Sequence, residues 1–395
     1  MKKFYVLMLL ALLLVPICTS AQNAAQEKAA LEEKVDSLES RLSKLEKRAK
    51  IWDKLKQHFK LSGFIQAQYS WQNAVMGVAE NEGLSLTKGE STFNLRRARL
   101  SLTGDIFRDK KAGSADYRLQ VDFAGSPKIV DLWVRYRPFN ELGIQIGQFK
   151  NPLTIENSEY APPSKLEFID NALVVQRFAH CASNDMTGIS SAGRELGAQL
   201  YGGFIKNESK GFNYITYNLA VFNGNGINTK DNNRSKDLVG RIMVNPIKEL
   251  TIAGYYQWGE SDLSSLSKAW APQVLEGVAN PKFTTIQRYG GGVAYTSKTV
   301  FARAEYVKAK TGSLNSDGAY VSAGYRFLGK GLVGARFEYF DENNDATGCQ
   351  FNYTLGVSYS PWKYMLLQLN YTLSQYHKMG YRNGNCVSLM VTGIF

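Results

Sequence analysis

Residues 116–123 read Asp116-Tyr117-Arg118-Leu119-Gln120-Val121-Asp122-Phe123. Polar and charged side chains take the even positions and apolar ones the odd positions. That is the period of an extended strand with two unlike faces. The same alternation lies upstream, where Ala98, Leu100, Leu102 and Ile106 oppose Arg97, Arg99, Ser101, Thr103 and Asp105. Downstream, Val130, Leu132, Val134 and Tyr136 oppose Asp131, Trp133 and Arg135. It recurs from Leu61 to Trp71, Val300 to Tyr306 and Met365 to Leu373. About sixteen such segments follow one another from about residue 60, each of roughly ten residues, the length a tilted strand needs to cross a bilayer. A soluble sandwich would show fewer strands and a shared dry core. A closed barrel with lipid outside and water inside uses both faces, and closure pairs every backbone N–H and C=O, as hydrocarbon demands.

The connecting segments sort by length. Short links are expected at 108–113, 138–141, 205–211, 245–249, 297–298, 328–331 and 360–363. Longer ones are expected at 72–90, 151–193, 223–236, 259–282, 310–317, 341–348 and 376–385, with 124–128 a short exception. Short turns at one end and long loops at the other are the pattern of outer-membrane barrels, and they place both termini at the short-turn end. The last strand ends Val387/Leu389/Val391/Gly393/Phe395, a pattern like the terminal signal read by the barrel-assembly machinery.

Composition agrees with strands. The 395 residues include 22 Tyr, 20 Phe and 35 Gly against 10 Pro, a mix that favours strands and glycine turns. Mean hydropathy is −0.27, and beyond the N-terminus no apolar run is long enough for a membrane-spanning helix. Four cysteines and three histidines leave little for a disulfide framework or a metal site. Cys349 and Cys386 begin strands separated by one other, which argues against a disulfide between them. No Ser/His pair falls on an outward strand face, so neither an enzyme nor a cofactor is expected. The formal charge of +12 suits anionic partners without naming them.

Residues 1–21 read as a signal peptide: Lys2-Lys3, an apolar stretch from Leu7 to Val15, then Thr19-Ser20-Ala21. Export argues against nucleic acid as a partner. Residues 22–58 then carry an apolar seam at spacings of four and three: Leu31, Val35, Leu38, Leu42, Leu45, Ala49 and Trp52. One flank holds Glu32, Glu39 and Glu46, the other Lys34, Arg41 and Arg48. Identical parallel helices pair such flanks with opposite signs, so a periplasmic coiled coil is expected, and Arg41 to Glu46 has the spacing common in parallel trimers. Residues 59–395 form the barrel.

By parity Arg97, Arg99, Arg118, Arg135, Arg241, Arg288, Arg303, Arg326 and Arg336 face the lumen. Arginine suits oxyanions because its planar fork binds two oxygens and keeps its charge. Asp105, Asp116, Asp122, Asp131, Glu195, Glu305 and Glu338 share that face, so cross-strand ion pairs that stiffen the wall compete with an anion path.

Several blocks carry a family resemblance: Leu61 to Gln66 (LSGFIQ), Phe93 to Gly104 (FNLRRARLSLTG), Asp131 to Glu156 with its GQFKNP run, and Val221 to Gly226 (VFNGNG) followed by Lys236-Asp237. In these the chain resembles the phosphate-selective porin O and P family of Gram-negative outer membranes. The resemblance implies a homotrimer of sixteen-stranded barrels, with a long third loop, here 151–193, folded into the lumen. It also implies an anion path that includes Arg97, Arg99 and Lys150. Glu156, Glu159, Glu167 and Asp170 on that loop would face the arginines across a constriction. The expected function is passive diffusion of small hydrophilic solutes, with anions preferred and phosphate one candidate. The alternative is a tethering protein that uses the coiled coil and outer loops.

Overall fold

The computed structural model describes residues 21–73, 75–76, 85–87, 89–163, 166–180, 193–231, 233–262, 283–341, 349–377 and 383–395. Residues 1–20 of the segment read as a signal peptide, with Cys18, and Cys181 lie outside the described residues. Residues 21–58 are helical as one element, Ala21–His58. The strands are β1 (Lys60–Gln72), β2 (Val75–Met76), β3 (Ser85–Thr87), β4 (Glu90–Asp109), β5 (Gly113–Asp122), β6 (Lys128–Phe139), β7 (Leu142–Lys150), β8 (Arg194–Asn207), β9 (Phe212–Phe222), β10 (Asp237–Ile247), β11 (Leu250–Asp262), β12 (Phe283–Thr296), β13 (Val300–Thr311), β14 (Leu314–Phe327), β15 (Gly331–Asp341), β16 (Cys349–Tyr359), β17 (Met365–Tyr376) and β18 (Gly384–Ile394).

Sixteen of them form one closed antiparallel barrel in chain order, while β2 and β3 pair only with each other. β1 closes the ring on β18 in continuous register from Phe64↔Ile394 to Gln72↔Cys386. The C-terminal residue completes the seam: Phe395 and Gly63 exchange backbone hydrogen bonds of 3.0 and 2.9 Å. Closure gives each of the sixteen barrel strands a neighbour on both sides, which is why this polar-faced ribbon tolerates hydrocarbon on its outside.

The loops sort as expected at every junction but one. β13 and β14 stay paired up to Thr311↔Leu314, so the link expected over 310–317 is a two-residue turn, Gly312-Ser313. Thr and Asn continue the extended pattern there, and paired backbone satisfies more hydrogen bonds than an open loop would. Cys349 and Cys386 are not joined to each other by a disulfide.

Outward positions such as Leu132, Val134, Ile146, Leu219, Ile242 and Leu355 are exposed, while Arg99, Arg241, Arg303 and Arg336 are buried inside. A fully wet lumen does not hold, however. The third loop buries Leu153, Ile155, Val174, Val175 and Phe178 against Phe149, Phe222, Val307, Tyr320 and Phe340 of the inner wall. Each such side chain contributes roughly 1.5–3 kcal/mol on burial. Part of the interior is therefore a dry core, built from inward residues that strand parity alone reads as water-facing.

The N-terminal helix, Ala21–His58, is a separate unit from the barrel up to residue 57. Its seam leucines Leu31, Leu38, Leu42 and Leu45 are exposed. A single chain gives them no partner helix, so the coiled coil is a matter for assembly rather than for this fold.

Candidate constriction and its basic cleft

The GQFKNP run sets the third loop. Gly147 has φ +127°, and a Cβ there would lie 2.1 Å from the Leu132 carbonyl oxygen. Only glycine allows β7 to approach β6 so closely. Past Lys150 the loop neck is stapled: the Asn157 amide donates to the carbonyls of Asn151 (2.8 Å) and Gly193 (3.2 Å). Thr154 caps a short helix, Ile155–Glu159, by accepting from Asn157 N.

The inner wall holds the loop by charge as well as by packing. Glu305 on β13 accepts from Ile155 N and from Glu156 N at 2.8 Å, the free amides of that helix's first turn. Tyr320 donates to the same carboxylate at 2.8 Å. Glu338 on β15 accepts from Leu173 N at the next helical turn, Leu173–Val175. Arg303 bridges Glu156 at 2.7 Å and Glu167 at 2.9 Å, with all three side chains at most 3% exposed. Burial by itself would raise the Glu156 carboxyl, but Arg303, Arg336 and the donors Ala172 N and Asn171 hold it below the usual range.

The other expected pore cations divide clearly. Arg326 reaches Glu167 at 3.2 Å, Arg241 reaches Glu159 at 2.9 Å, and Arg288 donates to the Phe178 carbonyl. Arg336 donates to the Asp170 carbonyl at 2.9 Å. These five arginines, counting Arg303, bind the loop. Arg118–Asp131 (3.1 Å) and Arg135–Asp116 are cross-strand pairs in the wall. The loop acids Glu156, Glu159 and Glu167 are therefore taken up in docking and do not line an open ring, although Glu159 stays half-exposed.

The remaining arc, β4 to β8, carries a different arrangement. Between it and the loop lies a hollow of about 330 Å³, lined by Arg96, Arg97, Arg99, Lys128, Lys150 and Arg194 together with Asp122 and Asp170. Six cations against two carboxylates leave a surplus of four. Arg99 is paired with Asp122 at 2.8 Å and Arg194 with Asp131 at 3.0 Å. Arg97 donates to the Gln66 side chain at 2.9 Å, and Lys150 donates to the Asn157 carbonyl. Among the described residues, Arg97, Lys128 and Lys150 meet no carboxylate at ion-pair distance. Larger hollows of about 500 and 620 Å³ lie on the outer wall, lined mainly by apolar residues such as Leu132, Ile146, Leu200 and Trp258, and they present no charge of this kind.

Two members of the cleft are not legible from parity. Gln66 pairs with Arg97 and Ala67 with Leu95, so Arg96 is the extra residue of a bulge. It sits beside Arg97 on the lumen side, where it meets Asp170. Arg194 is the first residue of β8, alternates with the inward Glu195, and still reaches Asp131 because it stands where the loop re-enters the wall. A doubled arginine in FNLRRARL and an arginine directly after a loop were the only sequence hints.

Residues 72–262 match the family model described as phosphate-selective porin O and P. No curated protein matches the sequence. Among solved structures, the anion-selective porin of Comamonas acidovorans is similar with a TM-score of 0.60 and 13% identity, over 85% of this chain and 99% of that one. The trimer form of OmpT, an outer membrane protein of Vibrio cholerae, is similar with a TM-score of 0.59 and 9% identity, over 86% and 100%. Salmonella typhi OmpF, in complex with daunomycin, is similar with a TM-score of 0.59 and 13% identity, over 85% and 97%. At such identities these likenesses establish the fold alone. Residues 72–262 thus match the phosphate-selective porin O and P family, within a sixteen-stranded closed barrel whose fold is that of outer-membrane porins.

Proposed function

We propose that the protein is a passive anion-preferring channel rather than an enzyme, with the cleft between β4–β8 and the third loop as its charge filter. The carrying observation is the surplus of four cations in one hollow, with Arg97, Lys128 and Lys150 uncompensated. A water-filled constriction with fixed positive charge raises the local concentration of anions and repels cations. The Comamonas acidovorans porin, described as anion-selective, supports the reading by likeness of fold. Phosphate is one of the oxyanions such a cleft would take. The test is reconstitution into planar bilayers: open-channel current with a zero-current potential toward anions in a salt gradient, for chloride and then for phosphate. Silent bilayers at high protein load would favour the tethering alternative.

Assembly is proposed as a homotrimer exported to the outer membrane, its short turns and both termini periplasmic. On intact cells a cysteine at Gly125 or Lys230 should react with a membrane-impermeant biotin reagent, and one at Lys210 or Lys330 should not; the reverse pattern would invert the orientation. The exposed leucine seam supports a parallel coiled coil. A peptide of residues 24–56 should sediment as a trimer, and Glu39→Lys with Glu46→Lys should weaken it more at low salt than at high salt. A monomer at high micromolar concentration would remove the coiled coil and leave the barrel wall to hold any trimer.

A further inference from the structure

Asp170 stands apart from the other loop acids. Its carboxylate meets Arg96 of β4, not an arginine of the arc that docks the loop. The pair is partly open to water, at 28% and 36% side-chain exposure, whereas Arg303 and its two acids are sealed. The backbone around it is held by other contacts. Ile169 is buried, the Asp170 carbonyl is held by Arg336, and the Asn171 side chain and Ala172 N both donate to Glu156. The Asp170 side chain can therefore leave Arg96 by rotating, without the loop moving.

The partner is equally particular. The bulge adds Arg96 to Arg97 and Arg99 on one strand, and its Nε finds no acceptor. The carboxylate thus engages the guanidinium through Nη2 only, inside a hollow of positive surplus.

We propose that Asp170 is the channel's own counter-anion. It occupies Arg96 when the pore is empty, and a solute passing the cleft must displace it. This rests on the anion-channel reading above and makes Asp170 a specificity-determining residue. Chloride offers Arg96 a point charge. A small oxyanion, such as a carboxylate, phosphate or sulfate, offers two oxygens to the fork and exceeds what Asp170 supplies through one. Competition with a resident carboxylate therefore lowers chloride flow more than oxyanion flow. A half-solvated ion pair is weak and screened by salt, so displacement is reversible on each passage.

The experiment compares Asp170→Asn and Arg96→Gln with the wild type in planar bilayers, using chloride, acetate and phosphate salts. Asp170→Asn should raise chloride conductance about twofold or more, raise the anion-to-cation permeability ratio, and reduce the preference for acetate and phosphate over chloride. Arg96→Gln also breaks the pair, but it should lower the anion-to-cation ratio, because the cation is gone while the carboxylate stays. Opposite shifts in that ratio support the proposal; a general loosening of the loop would move both variants the same way and overturns it. An anion-preferring wild type with an unchanged Asp170→Asn variant also overturns it and leaves the channel reading standing. A conducting wild type without anion preference removes that reading, and this proposal with it.

Discussion

Arg303→Ala should free the third loop from the barrel wall. The substitution leaves Glu156 and Glu167 without their shared cation, in a place where the three side chains are at most 3% exposed. Breaking a buried pair from one side costs about 3–5 kcal/mol, and here the cost falls on Glu156, because Glu167 keeps Arg326 at 3.2 Å. Tyr160, whose ring centroid lies 3.3 Å from the guanidinium carbon, loses its contact too. The strand ladder does not pass through this cluster, so the barrel's heat resistance on gels should change little. Single-channel conductance should instead rise severalfold with larger open-state noise. In an Arg303→Met background, Glu156→Gln should restore the quiet state by removing the stranded charge, while Glu167 stays paired with Arg326. A conductance equal to wild type would show that apolar packing of Leu153, Ile155, Val174, Val175 and Phe178 holds the loop unaided.

The second large effect is expected on selectivity. Arg97→Gln with Lys128→Gln halves the surplus of four in the cleft and breaks no ion pair. A unit charge about 7 Å from a permeating ion is worth about 0.6 kcal/mol in water. Two such charges correspond to about sevenfold in anion occupancy without screening, and about two- to threefold at physiological salt. The zero-current potential in a potassium chloride gradient should shift toward cations by a matching amount, with normal folding. Arg99 is a poorer choice, because its removal strands Asp122, which also accepts from Ala98 N and Ala124 N. An unchanged potential would mean that ions pass by another route and that the cleft cations serve the wall.

The family match gives these experiments a frame but not their outcome. Where the chain departs from a simple arginine-lined pore is in how many of its inward arginines are committed: five of the nine expected from parity hold the loop, and Arg99, Arg118 and Arg135 pair with wall acids. Arg97 meets no carboxylate at ion-pair distance among the described residues and donates to Gln66 instead. Lys150, which came from the GQFKNP resemblance and not from parity, and Lys128 and Arg96 complete what is available to a solute.

The barrel was legible from residues alone because strand geometry is local. A side chain at position i faces the opposite way from its neighbour at i+1, so Asp116 to Phe123 declare two environments without reference to any other segment. Sixteen repeats and sorted turns then leave closure as the one arrangement that satisfies every backbone group in hydrocarbon. The lumen's chemistry was not legible, because an inward position means only that a side chain points away from lipid. Whether Val307 meets water or Val174, and whether Arg303 meets a solute or Glu156, depends on where a 43-residue insertion, 151–193, folds back. That choice is set by contacts about 150 residues apart in sequence, such as Glu305 with Ile155 N, which no periodicity encodes. Arg96 escaped for a related reason: one bulge shifts parity by a residue, and its position is set by pairing with β1 rather than by the residues of β4 themselves.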